Sequence, residues 1–280
     1  MTTLPNECDG APVPDPLPPG FVDLAALDPT IQLSIRYHSP ENFSGGPVPG
    51  YYRPRAVVTE ICAAKLMTVQ KQLQEEGLCL VVYDAYRPQK AVEHFYQWAQ
   101  DPKELSMAAK YYPTFAHEKH VIFERGYLNN KSNHNRGSTV DVSIIEIGKT
   151  VVAGKLLPLR FRKLTEGKAE DATEEYLAAL EAAKTKQQGD GEEISGQRPL
   201  PFLDDGTVDM GTSFDFLDLA SHPDAPLELI PEPFHSRRQK LRRLMEAQGF
   251  VVSPREWWHY WLKDGEPFAP GAQEPFDFNL

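Results

Sequence analysis

The chain has 280 residues, of which 41% are hydrophobic and 25% charged, with a formal net charge of -11. That is enough apolar material for a sizeable core. The acidic balance argues against a general affinity for nucleic acid, which needs clustered Lys and Arg. No apolar run approaches the roughly 20 residues that span a bilayer, and the start Met-Thr-Thr-Leu-Pro-Asn-Glu lacks a signal peptide's basic and apolar regions, so a cytoplasmic protein without membrane partners is expected.

The first twenty residues contain six prolines and read as an extended arm, leaving 21–280 as a single domain. Residues 31 to 37 alternate Ile31, Leu33, Ile35 and Tyr37, the period of a half-buried strand. A Gly/Pro-rich loop follows over residues 42 to 52. From Val58 the positions Val58, Cys62, Leu66, Val69 and Leu73 recur at helical spacing and stop before Gly77. Leu78 to Tyr83 suits a central strand, and Gln89 to Gln100, after Pro88, a second helix. Within residues 134 to 145, Val140, Val142 and Ile144 alternate with Asp141 and Ser143, so Asp141 projects from a strand opposite three apolar anchors.

Residues 149 to 200 are rich in Lys, Glu, Gly and Gln and read as an insertion with one solvated helix over residues 174 to 186. Residues 235 to 248 form a basic amphipathic helix closed by Gly249. Leu241, Leu244 and Met245 are expected to face the core, with Arg237, Arg238, Arg242 and Arg243 solvated. Phe250 to Val252 and Trp257 to Leu262 read as closing strands, with the tryptophans and Tyr260 as core and pocket wall. Strands interleaved with unequal helices indicate an α+β class rather than a regular βαβ array. Three cysteines, Cys8, Cys62 and Cys79, form neither a metal pair nor a disulfide framework; Cys62 and Cys79 fit as small hydrophobes.

Chemistry concentrates in Ser132-Asn133-His134-Asn135-Arg136-Gly137-Ser138-Thr139-Val140-Asp141 and Glu256-Trp257-Trp258-His259. His134, Asp141 and His259 offer neutral imidazole and carboxylate donors, the set a catalytic zinc site uses while keeping one position open; Glu256 offers a base. His134 and Asp141 are at most about 23 Å apart when extended, so sharing an ion requires a reversal, which Gly137 permits. Glu256 and His259 would point to opposite faces of a regular strand, so their joint use requires a turn, bulge or strand start between them. His117-Glu118-Lys119-His120 is a decoy for H-E-x-x-H, because its histidines are three apart rather than four, and reads as a surface pair. No glycine-flanked nucleophile elbow accompanies Ser132.

With Asp84-Ala85-Tyr86-Arg87-Pro88, Asn42-Phe43-Ser44-Gly45 and Met210-Gly211-Thr212-Ser213-Phe214-Asp215, these motifs occur in family order and resemble the zinc D-alanyl-D-alanine dipeptidases of vancomycin resistance and peptidoglycan salvage. The resemblance implies a hedgehog/DD-peptidase fold with a mainly antiparallel central sheet flanked by helices. It implies one zinc ion per chain on His134, Asp141 and His259, with Glu256 as proton shuttle and Arg87 as oxyanion partner. Asp215 would hold the substrate's ammonium, and Ser132 and Tyr37 would fix its orientation or carboxylate. The expected partner is a small dipeptide; a homo-oligomer is left open. Alternatives on the same fold are a D,D-carboxypeptidase, a cell-wall endopeptidase or a noncatalytic zinc-containing binding protein, the last disfavoured by the retained Glu256 and Arg87. The insertion departs from the compact members, in which a short hairpin joins these motifs.

Overall fold

A computed structural model describes residues 16–130, 132–157, 201–227, 229–263 and 277–280. Most of the proline-rich arm, Cys8 and the helix expected over residues 174 to 186 lie outside the described residues. In chain order, β1 (Phe21–Asp23) and α1 (Leu24–Leu27) lead to β2 (Gln32–Leu33), β3 (Val57–Thr59) and α2 (Glu60–Gln74). Then come β4 (Leu78–Asp84), α3 (Gln89–Gln100), and two short helices, α4 (Ala108–Tyr111) and α5 (Val121–Glu124). The second half carries β5 (Thr139–Glu146), β6 (Lys155–Leu157), β7 (Phe202–Asp204), α6 (Phe234–Ala247), β8 (Phe250–Val252) and β9 (His259–Leu262).

The architecture is mixed α+β around a five-stranded sheet of order β2-β4-β5-β9-β8, antiparallel except for the β2–β4 pair. Separate two-stranded ribbons pair β1 with β3 and β6 with β7. Helices α2 and α6 touch one another and pack on β4 and β8 respectively. Val81, Val82, Val140, Val142 and Ile144 from the sheet and Leu66, Val69, Leu73, Leu241 and Met245 from the helices are buried in one core. Cys62 and Cys79 are also buried, and burial pushes the Cys62 thiol well above its usual range. Among the described residues no helix is long and apolar enough to cross a membrane.

Several boundaries depart from the sequence expectation for physical reasons. The strand expected over residues 31 to 37 contracts to Gln32–Leu33, and Arg36–His38 form a 3-10 turn. That turn lets the buried Arg36 guanidinium pair with Asp205 and Glu41, a need that outweighs the strand period. The helix expected from Val58 begins at Glu60, because Val57–Thr59 pair with β1 and Thr59 then caps the helix, its Oγ1 accepting from Cys62 N at 3.3 Å. Arg238, expected in solvent, is only 2% exposed. Its guanidinium donates to the carbonyls of Met210, Ala220 and His222 and to Thr212 Oγ1, so it staples the segment that carries Asp215. His117 and His120 are exposed, as a surface pair should be.

Candidate active site

Three neighbouring strands set the site. Asp141 on β5 is directly paired with Asp84 at the end of β4 and with His259 at the start of β9, a spacing at which cross-strand side chains meet. His134 arrives from outside the sheet. Asn133–Arg136 form a 3-10 turn, and β5, the strand that carries Asp141, starts at Thr139. Ser132 caps the turn, its Oγ accepting from His134 N at 3.3 Å, and Gly137 ends it in the left-handed region at φ 69°. A Cβ on Gly137 would lie 2.3 Å from Phe21 Cε1, so both backbone conformation and space demand glycine there. The chain reversal needed between His134 and Asp141 is this turn.

Three donor atoms converge. His259 Nδ1 is 2.9 Å from Asp141 Oδ1, His134 Nε2 is 3.4 Å from the same oxygen, and the two imidazole nitrogens are 3.2 Å apart. All candidate ligand atoms of the trio lie within 4.8 Å of one another. His134 Nδ1 lies 2.6 Å from the Ala85 carbonyl; as the donor there it leaves Nε2 with a lone pair facing the trio. Burial pushes the His259 imidazole below its usual pKa, against the pull of Asp141. Burial alone would raise Asp141, but His134 and His259 hold its carboxyl below the usual range. Two imidazoles and a carboxylate at this separation are a donor set that suits a divalent metal ion.

Around the trio lies a hydrogen-bonded frame. Arg87 donates through Nε to Asp84 Oδ2 at 2.9 Å, and its Nη2 lies 2.8 Å from that oxygen and 3.5 Å from Asp141 Oδ2. Burial would lower the guanidinium's pKa, yet Asp84 and its neighbours hold it above the usual value. Tyr51 donates to Asp84 Oδ1 at 2.7 Å, and Tyr37 donates to Asp215 Oδ2 at 2.9 Å. Asp215 is the one non-glycine at positive φ among the described residues, at 59°. Such backbone strain clusters at functional sites. Burial, with Asp141 beside it, pushes the Asp215 carboxyl well above the usual range.

Glu256 closes the frame. The chain turns through Trp257 and Trp258, with His259 N donating to Glu256 O at 3.3 Å, and β9 begins only at His259. Glu256 and His259 therefore escape strand alternation and reach one place, Glu256 Oε2 lying 3.9 Å from His259 Nδ1. Burial, then Asp141 and Asp215, raise the Glu256 carboxyl well above its usual pKa.

A cleft of about 290 Å³ is lined by Tyr37, Arg87, Ser132, Asp141, Asp215, Glu256 and His259, with Trp258 and Trp261 in its walls. Every sequence-predicted site residue except the fully buried His134 lines it, and His134 meets it through the donor trio. Sequence reasoning gave Asp84 no place in the site beyond its motif; its position three residues before Arg87 was the available signal. It missed Asn135, whose Nδ2 donates to Arg87 O at 2.5 Å, and Arg255 in the cleft wall, which had no signal beyond adjacency to Glu256.

The chain is similar to D-alanyl-D-alanine dipeptidases from several bacteria. It is 30% identical to the one from Streptomyces coelicolor over 93% of this chain and 96% of the relative. The corresponding figures are 29%, 92% and 97% for Enterococcus faecium, and 23%, 86% and 84% for Escherichia coli. The family described as D-ala-D-ala dipeptidase matches residues 18–155 and 175–278, which include the whole donor trio, Arg87, Asp215 and Glu256. This chain belongs to that family of metallopeptidases.

Proposed function

We propose that the protein hydrolyses D-alanyl-D-alanine or a closely related dipeptide, with one zinc ion held by His134, Asp141 and His259 and with Glu256 as general base. The observation that carries the reading is the convergence of the three donors within 4.8 Å beside a cleft also lined by Glu256, Arg87 and Asp215. When bound, zinc in such a donor set supplies Lewis acidity and makes water a nucleophile near neutral pH. Glu256 accepts the water's proton on its carboxylate and passes it to the leaving amine, a role typically worth about 10² to 10⁴ in rate. A base must be ionised. A divalent charge held on the donor trio would favour that state in Glu256, opposing the burial that raises its carboxyl.

Arg87, braced by Asp84, offers positive charge to the oxygen of the scissile carbonyl as that oxygen becomes anionic. Asp215, oriented by Tyr37, pairs with the substrate's free ammonium, and Ser132 lies in the same cleft to orient the ligand. Ion-pairing the amine would select against extension on the N-terminal side, because an extended chain would place a neutral amide against Asp215 and leave a buried charge unpaired. A cleft of about 290 Å³ lies at the small end of ligand sites, in keeping with a small substrate. We read residues 21–280 as one catalytic domain of hedgehog/DD-peptidase architecture, interrupted by the 149–200 insertion and working in the cytoplasm. The test is a panel of D,D, L,D and L,L dipeptides and longer peptides offered to zinc-loaded protein. Cleavage of D,D dipeptides is expected, and failure to cleave any dipeptide would refute the reading.

A further inference from the structure

Two arginines line the cleft, and they differ in what they hold. Arg87 is committed to Asp84 and Asp141. Arg255 makes no close ion pair with a carboxylate among the described residues, although its charge acts on the neighbouring Glu256 carboxyl; its backbone N donates to Ser253 Oγ and its guanidinium makes a ring contact. That contact places Cζ 5.8 Å from the centroid of Tyr127. A Cβ on Gly126 would lie 3.2 Å from Arg255 Nε, so glycine there leaves the guanidinium its room. The backbone beneath is tied to the donor row: Ser253 N donates to His259 O at 2.8 Å. Arg255 is partly exposed, as a group that meets a ligand from solvent must be.

The cleft's acidic side chains, Asp141, Asp215 and Glu256, leave a zwitterionic ligand's negative end with few partners. Tyr37, one candidate for that end, already donates to Asp215, on the ammonium side. Resting on the dipeptidase reading, we infer that Arg255 captures the free α-carboxylate of the substrate and is the specificity-determining residue for an unblocked C-terminus. Its five donors in a planar fork match a carboxylate in bidentate geometry. With Asp215 at the other end, the cleft then measures the distance between an ammonium and a carboxylate.

The experiment compares D-Ala-D-Ala with D-alanyl-D-alaninamide, the same dipeptide with its carboxylate capped, on the zinc-loaded full chain. Arg255→Gln is expected to lower kcat/KM for the free acid by about 10- to 100-fold, mainly through KM, and that for the amide by less than about threefold. Arg255→Lys, which keeps the charge without the fork, recovers part of the preference for the acid. Calorimetric titration of both ligands into Glu256→Gln protein, with and without Arg255→Gln, reads binding without turnover and should show the same collapse. An Arg255→Gln variant that keeps the acid-over-amide ratio, by losing both equally or neither, overturns the inference and leaves the dipeptidase reading standing. A wild-type chain that neither binds nor cleaves D-Ala-D-Ala overturns both.

Discussion

Asp84→Asn removes one negative charge from beneath the site with almost no change in shape. Asp84 is completely buried. Its Oδ2 lies 2.9 Å from Arg87 Nε and 2.8 Å from Nη2, and its Oδ1 receives the Tyr51 hydroxyl at 2.7 Å. An asparagine NH₂ must face one of these donors, and Arg87 is left with Asp141, 3.5 Å away, as the remaining carboxylate of the described network. Two unit charges about 4 Å apart at an effective dielectric of about 20 interact by about 4 kcal/mol, and breaking one side of a buried pair costs about 3–5 kcal/mol. Because asparagine keeps one acceptor, a loss of about 3 kcal/mol is expected, inside the 5–15 kcal/mol stability typical of a domain. Urea unfolding at fixed zinc concentration measures it, read as a shift in midpoint at constant slope. Turnover should fall at least about 100-fold as Arg87 loses its brace. A stability change under about 1 kcal/mol with turnover intact would refute the argument that Asp84 holds Arg87 in place.

Glu256→Ala should leave zinc stoichiometry near one per chain by metal analysis while turnover drops by about 10² to 10⁴; undiminished turnover would remove Glu256 from the base role. Chelation should abolish activity reversibly, and zinc at 100 times its Kd should add about 2.7 kcal/mol to stability; a Tm independent of zinc concentration would count against the donor trio. Gly137→Ala should cost more than about 2 kcal/mol, since the left-handed conformation alone costs about 1–2 kcal/mol and the new methyl overlaps the Phe21 ring. It should also weaken zinc binding by displacing the turn that carries His134. Wild-type Tm and metal affinity in that variant would contradict the packing described for Gly137.

What was legible in the sequence was whatever depends on local period. The α3 boundaries fall at Gln89 and Gln100, where the residues after Pro88 placed them, and β8 spans Phe250–Val252 as expected. Elements went astray where a distant partner decides. Arg36 turns the chain out of strand to reach Asp205, 169 positions away, and Val58 leaves its helical series to pair with Val22. Arg238 looked like a solvated face because nothing local announces the carbonyls that surround it. In the site, motif spacing singled out the three side chains that the fold brings together, and it also indicated that Glu256 and His259 could not both sit on a regular strand. It could not reveal that Asp84, Asp141 and His259 are cross-strand neighbours, because register is a tertiary property. Nor could it separate Arg255 from an ordinary surface cation, since what distinguishes it is its place in the cleft wall.

The β6–β7 ribbon has a consequence for how this chain can vary. It brings Leu157 opposite Phe202, so the two ends that flank the intervening sequence meet at a single paired rung. Closing a loop between fixed ends costs entropy only logarithmically, about 0.6 kcal/mol for each doubling of its length. The ribbon belongs to neither the five-stranded sheet nor the donor row, and just beyond it Asp205 is clamped by Arg36 and Tyr83. Segments of very different length can therefore be spliced in at this rung while the metal-binding geometry stays untouched, which makes the ribbon a tolerant port through which a lineage can acquire new surface.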